Sequence, residues 1–326
     1  SSGTGQSNSD KSIGDFWMSD GAYTASTKRA SLIHVPLVAA PIAILHNLPG
    51  KQTLNLSAAT VAGIFSGKIT KWNDPAIVKD NSKTYTVQLF KKDAKGKPVK
   101  DKKGKPIPAG TKSVTQSAKL PAQQITVVYR GDSSGTTGNL LAALGQIDPT
   151  NWPKADKGGN TKVFASSDAK NAVTKDPIHF QAANGSAGVA QLAAKTDYSI
   201  TYAEVNFAKL NSLGLASIIN KNGDLVQPDD SSAAAQVATA DIAANGVVTQ
   251  NYVNPAAGVY PFSVVTYALA KTSYSQGDAF TKGIKAAIEW HAFNCPQTAP
   301  NDGFIKIDKT SALGTVITGQ LAKIGA

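Results

Sequence analysis

Apolar and polar positions along the chain follow the period of a helix in some segments and that of a strand in others. Residues 57–66 (SAATVAGIFS) carry apolar side chains at helical spacing after a serine, which predicts a capped helix. Residues 124–129 (QITVVY) predict a buried strand, and residues 260–271 a long one. Residues 281–293 predict an amphipathic helix. Strands that alternate with helices favour an α/β fold whose sheets are covered on both faces.

Three segments depart from this regularity. Residues 32–48 are apolar and β-like, but Pro36 and Pro41 predict short strands that are bounded by the prolines. Residues 24–30 are charged and predict a helix. Residues 91–105 form a Gly/Pro/Lys insertion with two GKP repeats, which predicts a projecting hairpin or a mobile loop. No apolar run is long enough to predict a transmembrane helix.

The composition is that of a globular chain, with 41% hydrophobic and 17% charged residues among 326, enough for two domains. The net charge is +11, and the eight Lys and two Asp of residues 91–105 contribute +6 of it. A basic chain favours anionic partners, although a solvated Lys-rich loop explains the same charge.

Cys295 is the single cysteine and the four His are scattered, so neither an intrachain disulfide nor a metal site is predicted. The start at Ser1 without Met fits an exported bacterial protein that has lost its leader.

The segment 129–139 (YRGDSSGTTGN) lies between a predicted buried strand and a predicted helix, and it has three interpretations. The tripeptide RGD is a cell-adhesion signal, but here it directly follows a strand rather than occupying a mobile loop tip. The string GDSSG is close to the GDSGG of trypsin-like proteases, which need a base and an acid beside the serine and an all-β fold. The third interpretation, an anion-binding loop that opens a helix, agrees best with this position.

An anion can bind at such a loop because the first backbone N–H groups of a helix have no partner within it. Ser134, Thr136 and Thr137 could add hydroxyl donors. Arg130 could contact two oxygens of a tetrahedral oxyanion, with Asp132 orienting its guanidinium group. A plain helix N-cap beside a surface ion pair is the alternative.

Several motifs occur in an order that resembles the phosphate-binding proteins of the high-affinity phosphate ABC transporter (PstS type) and their DING-like relatives. RGDSSGTT at 130–137 is similar to the family's R-x-D-x-S-G-T-T segment, and GKITKWNDPAI at 67–77 to its G-K-I-x-x-W-x-D-P-x-I signature. SSGTGQ at 1–6 and DFWMSD at 15–20 resemble its Gly/Ser loop and its D-F-G-A-S-D string. The resemblance covers nearly the whole chain.

This resemblance implies a periplasmic-binding-protein fold of type II, in which two α/β lobes are joined by two crossing strands and the ligand cleft lies between them. Lobe I would hold residues 1–45 plus 263–326, and lobe II residues 46–262, with the Lys-rich insertion at 91–112. The protein would be periplasmic, or secreted to the bacterial cell surface. The resemblance implies no enzymatic activity, no cofactor, no metal ion and no nucleic acid.

The implied ligand is inorganic phosphate, bound for delivery to the permease of a membrane ABC transporter. The implied phosphate ligands are Ser2, Asp20, Arg130, Ser134, Gly135 and Thr136, and Asp132 would orient Arg130. An ionised Asp20 would accept a hydrogen bond from the O–H group that phosphate still carries near neutral pH, and it would repel sulfate, which carries none. Alternatively, Asp20 caps the helix that follows it.

Departures from the family pattern keep a second function open. The family has a first strand ahead of the segment at Ser1, so that strand is either cut away or donated by another chain. Trp17 and Met18 stand where the family has Gly and Ala, and their side chains could reshape the cleft beside Asp20. With the Lys-rich insertion, these departures are compatible with an extracellular structural, assembly or adhesion protein whose phosphate binding is weakened or lost.

Overall fold

The computed structural model describes residues 1–23, 32–102, 104–115, 119–153, 162–295 and 303–326. The helix predicted at 24–30 lies outside the described residues. Within them, strands and helices alternate along most of the chain, which confirms the predicted α/β class. The described part of the chain contains no helix with the length and apolar content needed to cross a membrane.

Strands and helices are numbered separately in chain order. The strands are β1 (Phe16–Ser19), β2 (Ile33–His46), β3 (Leu54–Ser57), β4 (Thr84–Phe90), β5 (Pro108–Thr115), β6 (Thr126–Arg130), β7 (Phe180–Ala183), β8 (Ser199–Glu204), β9 (Gly214–Ile219), β10 (Leu225–Val226), β11 (Asp241–Ile242), β12 (Val248–Thr249) and β13 (Ser263–Ala270). The helices are α1 (Ser2–Asp10), α2 (Ala58–Phe65), α3 (Pro75–Asp80), α4 (Gly135–Ile147), α5 (Lys170–Lys175), α6 (Gly185–Lys195), α7 (Asn206–Leu210), α8 (Asp230–Val237), α9 (Asp278–Phe293) and α10 (Ala312–Ala322).

The main sheet is organised by β2, which pairs with different neighbours along its 14 residues. From Ile33 to Pro41 it pairs antiparallel with β13, and from Ile42 to His46 it pairs antiparallel with β8. β1 pairs with β13 at one end of the sheet, while β6 and β7 extend the sheet in parallel beyond β8. One strand therefore belongs to both halves of the sheet.

The prediction that the prolines divide this segment was wrong, because β2 continues through both of them. Pro36 faces Tyr267 at the register shift that follows Thr266, so it lies beside a bulge. Pro41 is the last residue that pairs with β13, just before β8 becomes the partner. A missing N–H is tolerated at such places, because the regular ladder is already interrupted there.

The apolar residues of β2 divide between three hydrophobic clusters. Val35 and Leu37 pack with residues of β13, α9 and α10 in one cluster. Further along, Ile42 and Ile44 face a second cluster, which includes α2 and α4. Successive strand side chains point to opposite faces, so the intervening residues of β2 face the third cluster, with α6. A strand that is apolar at nearly every position is thereby buried on both faces.

The predicted division into residues 1–45 plus 263–326 and residues 46–262 stays a prediction. The packing of one helix, α8, differs from this division. Ala233, Ala234 and Val237 of α8 belong to the cluster of β13 and α9, not to that of α4. By packing, α8 therefore joins the half of the molecule that contains both chain ends.

The Lys-rich insertion is the tip of an antiparallel hairpin, because β4 pairs with β5 on either side of it. Its sequence repeats with a period of eight, DAKGKPVK at 93–100 and DKKGKPIP at 101–108. Each repeat makes one tight turn, closed by hydrogen bonds of 2.9 Å from Gly96 N to Asp93 O and from Gly104 N to Asp101 O. The tip does not project freely, because the Lys100 ammonium group donates to the carbonyl oxygen of Lys306 at 2.9 Å.

Candidate functional site

The segment that joins β6 to α4 forms a helix start that faces the interior. Ser134 is the N-cap of α4, and its hydroxyl accepts a hydrogen bond of 3.2 Å from Thr137 N. Thr136 and Thr137 are buried, and the Thr137 hydroxyl lies 2.7 Å from that of Tyr202 on β8. Among the described residues, no acceptor is found for the backbone N–H groups of Gly135 and Thr136. These two groups are therefore the ones that a bound anion could use.

Arg130 and Asp132 form a bidentate ion pair directly before this helix. Arg130 donates from Nε to Asp132 Oδ1 at 2.7 Å and from Nη2 to Oδ2 at 2.6 Å. A third donor, Gly185 N, holds Oδ1 at 3.1 Å, so the carboxylate is itself fixed. The hydrogen bond from Arg130 is the main cause that lowers the pKa of Asp132 to about 2. Asp132 thus stays ionised and orients the guanidinium group.

The Arg130 side chain is nearly inaccessible to solvent, with 6% of its surface exposed. Burial by itself lowers the pKa of Arg130, but the hydrogen bond and the charge of Asp132 outweigh this effect, so the pKa is raised overall. Its remaining donor, Nη1, lies 3.2 Å from Ser186 Oγ at the start of α6. A buried arginine cannot serve as the exposed arginine of an adhesion signal, which further disfavours the RGD interpretation.

The Gly/Ser-rich segment at the start of the chain is a helix, although its composition has low helix propensity. Close approach of backbones explains why small residues are needed there. Gly3 N donates to Ser133 O at 3.1 Å, and a Cβ atom at Gly5 would collide with the carbonyl oxygen of Met18. α1 therefore lies directly against the loop ahead of α4.

Asp20 connects α1, β13 and α4. Its backbone N–H donates to Ser2 Oγ at 3.0 Å. Its carboxylate accepts hydrogen bonds from the hydroxyls of Thr266 at 2.8 Å and Thr136 at 3.2 Å. Asn139 of α4 donates to its carbonyl oxygen at 2.7 Å. The alternative in which Asp20 caps the following helix concerns residues 24–30, which the structure does not describe.

The close approach of Ser2 and Asp20 to the first turn of α4 depends on Gly135. A Cβ atom at that position would lie 2.5 Å from Ser2 Oγ and 2.7 Å from Asp20 Cβ, closer than atoms can pack. Of the predicted residues, Ser2, Asp20, Gly135 and Thr136 are thus in direct contact. Ser134 caps the helix beside them, while Arg130 lies at the end of β6 with Asp132. We refer to these seven residues as the α4 site.

Glu204, the last residue of β8, belongs to the same region and was not among the predicted residues. Burial is the largest cause that raises the pKa of Glu204, and the negative charge of Asp20 raises it further. A hydrogen bond with Ser186 and the charge of Arg130 oppose this rise. Glu204 therefore lies within electrostatic reach of both Asp20 and Arg130.

Thr266 of β13 was also missed by the sequence analysis. It is a polar residue within an apolar strand (SVVTYALA), and that interruption is a signal in the sequence.

Trp17 was expected to reshape the cleft, but it is buried in the hydrophobic cluster of β13 and α9, and its Nε1 donates to Ile13 O at 2.6 Å. Met18 points to the solvent side of β1.

Taken together, the seven residues of the α4 site present N–H and hydroxyl donors, one arginine and two acidic side chains. No metal-binding group of three or more His, Cys, Asp or Glu occurs in the part of the chain that the structure describes.

A family model described as "PBP superfamily domain" matches residues 1–293. The chain is 30% identical over 263 residues to phosphate-binding protein PstS2 of Mycobacterium bovis (strain BCG / Pasteur 1173P2), which covers 78% of this chain and 58% of that protein. It is 28% identical to phosphate-binding protein PstS of Pasteurella multocida (strain Pm70), over 85% of this chain and 67% of that protein. The chain thus spans little more than half the length of the mycobacterial relative.

Solved structures give the same result for the fold. A crystal structure of phosphate binding protein from Stenotrophomonas maltophilia matches 99% of this chain and 85% of its own, with a TM-score of 0.64 and 20% identity. A structure of DING protein matches 94% of this chain and 79% of its own, with a TM-score of 0.61 and 20% identity. At these identities the likeness concerns the fold alone, and it confirms the predicted two-lobed architecture.

Proposed function

The chain belongs to the PBP superfamily, and from this premise we propose that it binds inorganic phosphate at the α4 site for delivery to a membrane ABC transporter. One observation carries the proposal. The inward-facing start of α4, with two backbone N–H groups available, lies between the fixed Arg130–Asp132 pair and the carboxylate of Asp20. The phosphate-binding relatives support the choice of ligand.

Each predicted ligand can serve phosphate with little rearrangement. The hydroxyls of Ser2 and Ser134 already accept a hydrogen bond from a backbone N–H, which leaves their own protons free to donate to an anion. Thr136 now donates to Asp20 and would turn its hydroxyl to the phosphate. Gly135 would contribute its backbone N–H, and Arg130 a charge that Asp132 keeps oriented.

Selectivity in this proposal depends on Asp20. Phosphate near neutral pH retains an O–H group that can donate to an ionised carboxylate, whereas sulfate meets the same carboxylate as an unprotonated anion. The Thr266 hydroxyl holds Oδ1 of Asp20 from β13, so the carboxylate cannot simply turn away from a bound anion. Repulsion of sulfate then gives discrimination that attraction alone would not provide.

The test is calorimetric titration of the protein with phosphate and with sulfate, before and after Asp20→Asn. Asp15→Asn is a matched control, because it removes one carboxylate five residues away and is not part of the α4 site. We expect the phosphate preference to fall by about tenfold or more in the Asp20 variant and to be unchanged in the control. Absence of phosphate binding by the wild-type protein would refute the proposed function.

The finer partners belong to the same proposal. The permease of an ABC transporter would receive the phosphate, and the protein would act in the periplasm or at the bacterial cell surface. A strand donated by another chain would pair with β1, which ends the main sheet among the described strands.

The free edge of β1 also favours the second candidate function, an extracellular assembly or adhesion subunit with weakened phosphate binding. Light scattering of the purified protein distinguishes the two candidate functions, since an assembly subunit would form concentration-dependent oligomers and a transport protein would not.

A further inference from the structure

A cluster of lysines lies away from the α4 site, where the Lys-rich insertion meets the segment 303–311. The two enclose a cavity of about 1040 Å³, which we call the insertion cavity. The end of α9 and the start of α8 complete its wall. Six lysines line it, four from the insertion and two from the facing segment, namely Lys92, Lys95, Lys97, Lys100, Lys306 and Lys309.

Five aspartates share this wall with the six lysines, so the charged lining residues carry a formal net charge of +1. Four of the five, Asp93, Asp101, Asp229 and Asp308, accept a hydrogen bond from a backbone N–H group, and the fifth is Asp230. Asp93 Oδ1 accepts from the N–H groups of Lys95 and Lys97, both at 2.9 Å, and so closes the first turn of the insertion. Asp308 accepts from Thr310 N at 2.9 Å in the facing segment. Among the described residues, the ion pair recorded for the lining lysines is that of Lys309 with Glu289. Asp93, Asp101 and Asp308 therefore shape the turns through their backbone contacts, while the charges of Asp230 and Asp308 act on Lys100.

Two of the lysines, from different parts of the chain, are held close together. The side chain of Lys97 is the main cause that lowers the pKa of Lys306 to about 8, since two neighbouring amines disfavour a second positive charge. Partial burial and the charges of Lys97 and Lys95 add to the effect, while Asp93 opposes it. The hydrogen bond from Lys100 to Lys306 O holds the two segments in this arrangement despite the repulsion.

We propose that the insertion cavity is a second anion site, which binds a ligand carrying several phosphate groups, such as a linear oligophosphate. A volume of about 1040 Å³ matches sites for ligands much larger than one orthophosphate. Lysine ammonium groups act as point charges and suit phosphate chains that impose no fixed geometry. An anion placed between Lys97 and Lys306 would replace a repulsive contact with two attractive ones.

A nucleic acid fits this cavity less well than a bare phosphate chain. Base recognition by single-strand binders depends on aromatic faces on which bases stack. Phe293 lines the cavity, but the Lys309 ammonium group lies 4.9 Å from its ring centroid and covers that face. The lining therefore favours the phosphate groups themselves over the bases.

The experiment is calorimetric titration of inorganic tripolyphosphate into the full chain, with orthophosphate present at saturation. The test variant is the double substitution Lys97→Gln with Lys306→Gln. The control is Lys102→Gln with Lys105→Gln, which also removes two positive charges, but from exposed residues of the insertion that do not line the cavity. We expect tripolyphosphate to bind the wild type and the control alike, and the test variant about tenfold or more weakly. Equal weakening in both variants, or no binding in the presence of orthophosphate, would overturn the proposal.

A second readout uses the proton on Lys306. Because a neighbouring anion raises the pKa of an amine, binding at pH 8 should draw up to about half a proton per site from the buffer. Titration in two buffers of different ionisation enthalpy measures this uptake, and Lys306→Gln should abolish most of it. Uptake that persists in that variant contradicts the assignment.

The source of the phosphate groups is decided by two competing probes. Vesicles that contain a lipid with a multiply phosphorylated headgroup should bind no more tightly than tripolyphosphate if the ligand is soluble. Tighter binding to vesicles, lost in the Lys97/Lys306 variant, would assign the same site to a lipid headgroup. Tighter binding of a single-stranded oligonucleotide would overturn the choice of an oligophosphate.

Discussion

The α4 site and the insertion cavity both offer cationic side chains to an anion, but they do so by different means. At the α4 site one buried arginine is fixed by Asp132, and the other donors are backbone N–H groups and hydroxyls. At the insertion cavity six lysines surround a wide space, and among the described residues a hydrogen bond is found for the ammonium groups of Lys100 and Lys309 but for none of the other four. Fixed donors, with an acidic side chain opposite, discriminate between similar anions. A cluster of point charges responds instead to the amount of charge on the ligand.

The largest expected effect tests whether a fixed cation differs from an exposed one. Arg130→Ala should leave Asp132 without its partner, lower the free energy of unfolding by about 3 kcal/mol and weaken phosphate binding about 100-fold. Lys309→Ala, which breaks an exposed pair with Glu289, should lower the free energy of unfolding by less than about 1 kcal/mol. Urea unfolding measures both variants. Similar losses for the two would remove the distinction between the regions.

Salt should separate the two regions in a single preparation. Raising the salt concentration from about 50 to about 500 mM should weaken tripolyphosphate binding about tenfold, because the lysines and the ligand are accessible to ions. Orthophosphate binding at the buried α4 site should change less than about threefold over the same range. Calorimetry with each ligand gives the two slopes, and parallel slopes would argue that both ligands use the same kind of site.

The smallest expected effect concerns Glu204. Since burial raises its pKa, Glu204 is protonated at pH values where an ordinary carboxyl group is ionised. As the pH rises through this raised pKa, a second negative charge forms beside Asp20 and phosphate binding should weaken. Glu204→Gln keeps the neutral form at every pH, so phosphate should bind the variant about threefold more tightly than the wild type at pH values above the raised pKa, and the difference should vanish as the pH falls below it.

The control for Glu204 is Glu289→Gln, which removes an exposed carboxylate far from the α4 site. It should leave the pH profile of phosphate affinity as it is in the wild type. A profile unchanged by Glu204→Gln would indicate that Glu204 only supports the structure through Ser186.

Local patterns in the sequence were sufficient to predict the strand and the helix on either side of residues 130–134, and the family. The buried run before Arg130 and the small polar residues after it predict a strand followed by a helix start, and the structure has β6 and α4 there. Such features depend on near neighbours in the chain. The pairing of Arg130 with Asp132, two residues apart, is of the same kind.

What could not be predicted depends on residues far apart in the sequence. β2 runs through its prolines because its partner strands change there, which no local pattern reveals. α1 is helical because Gly3 and Gly5 allow other backbones to approach, not because its residues favour a helix. The insertion folds back because Lys100 meets Lys306, two residues separated by 206 positions. Glu204 joins the α4 site in the same way, through tertiary packing alone.

Gly135 sets the clearance between the segment that carries Ser2 and Asp20 and the first turn of α4. The nearest atoms to its missing side chain are 2.5 and 2.7 Å away, so a single methyl group would act as a wedge between the two. In the proposed complex, the two backbone N–H groups and the carboxylate of Asp20 would share one small ion only while that gap stays narrow. If phosphate binds at the α4 site as proposed, the range of anion sizes that the site accepts would depend on the hydrogen atom of Gly135, the smallest side chain that a protein can place there.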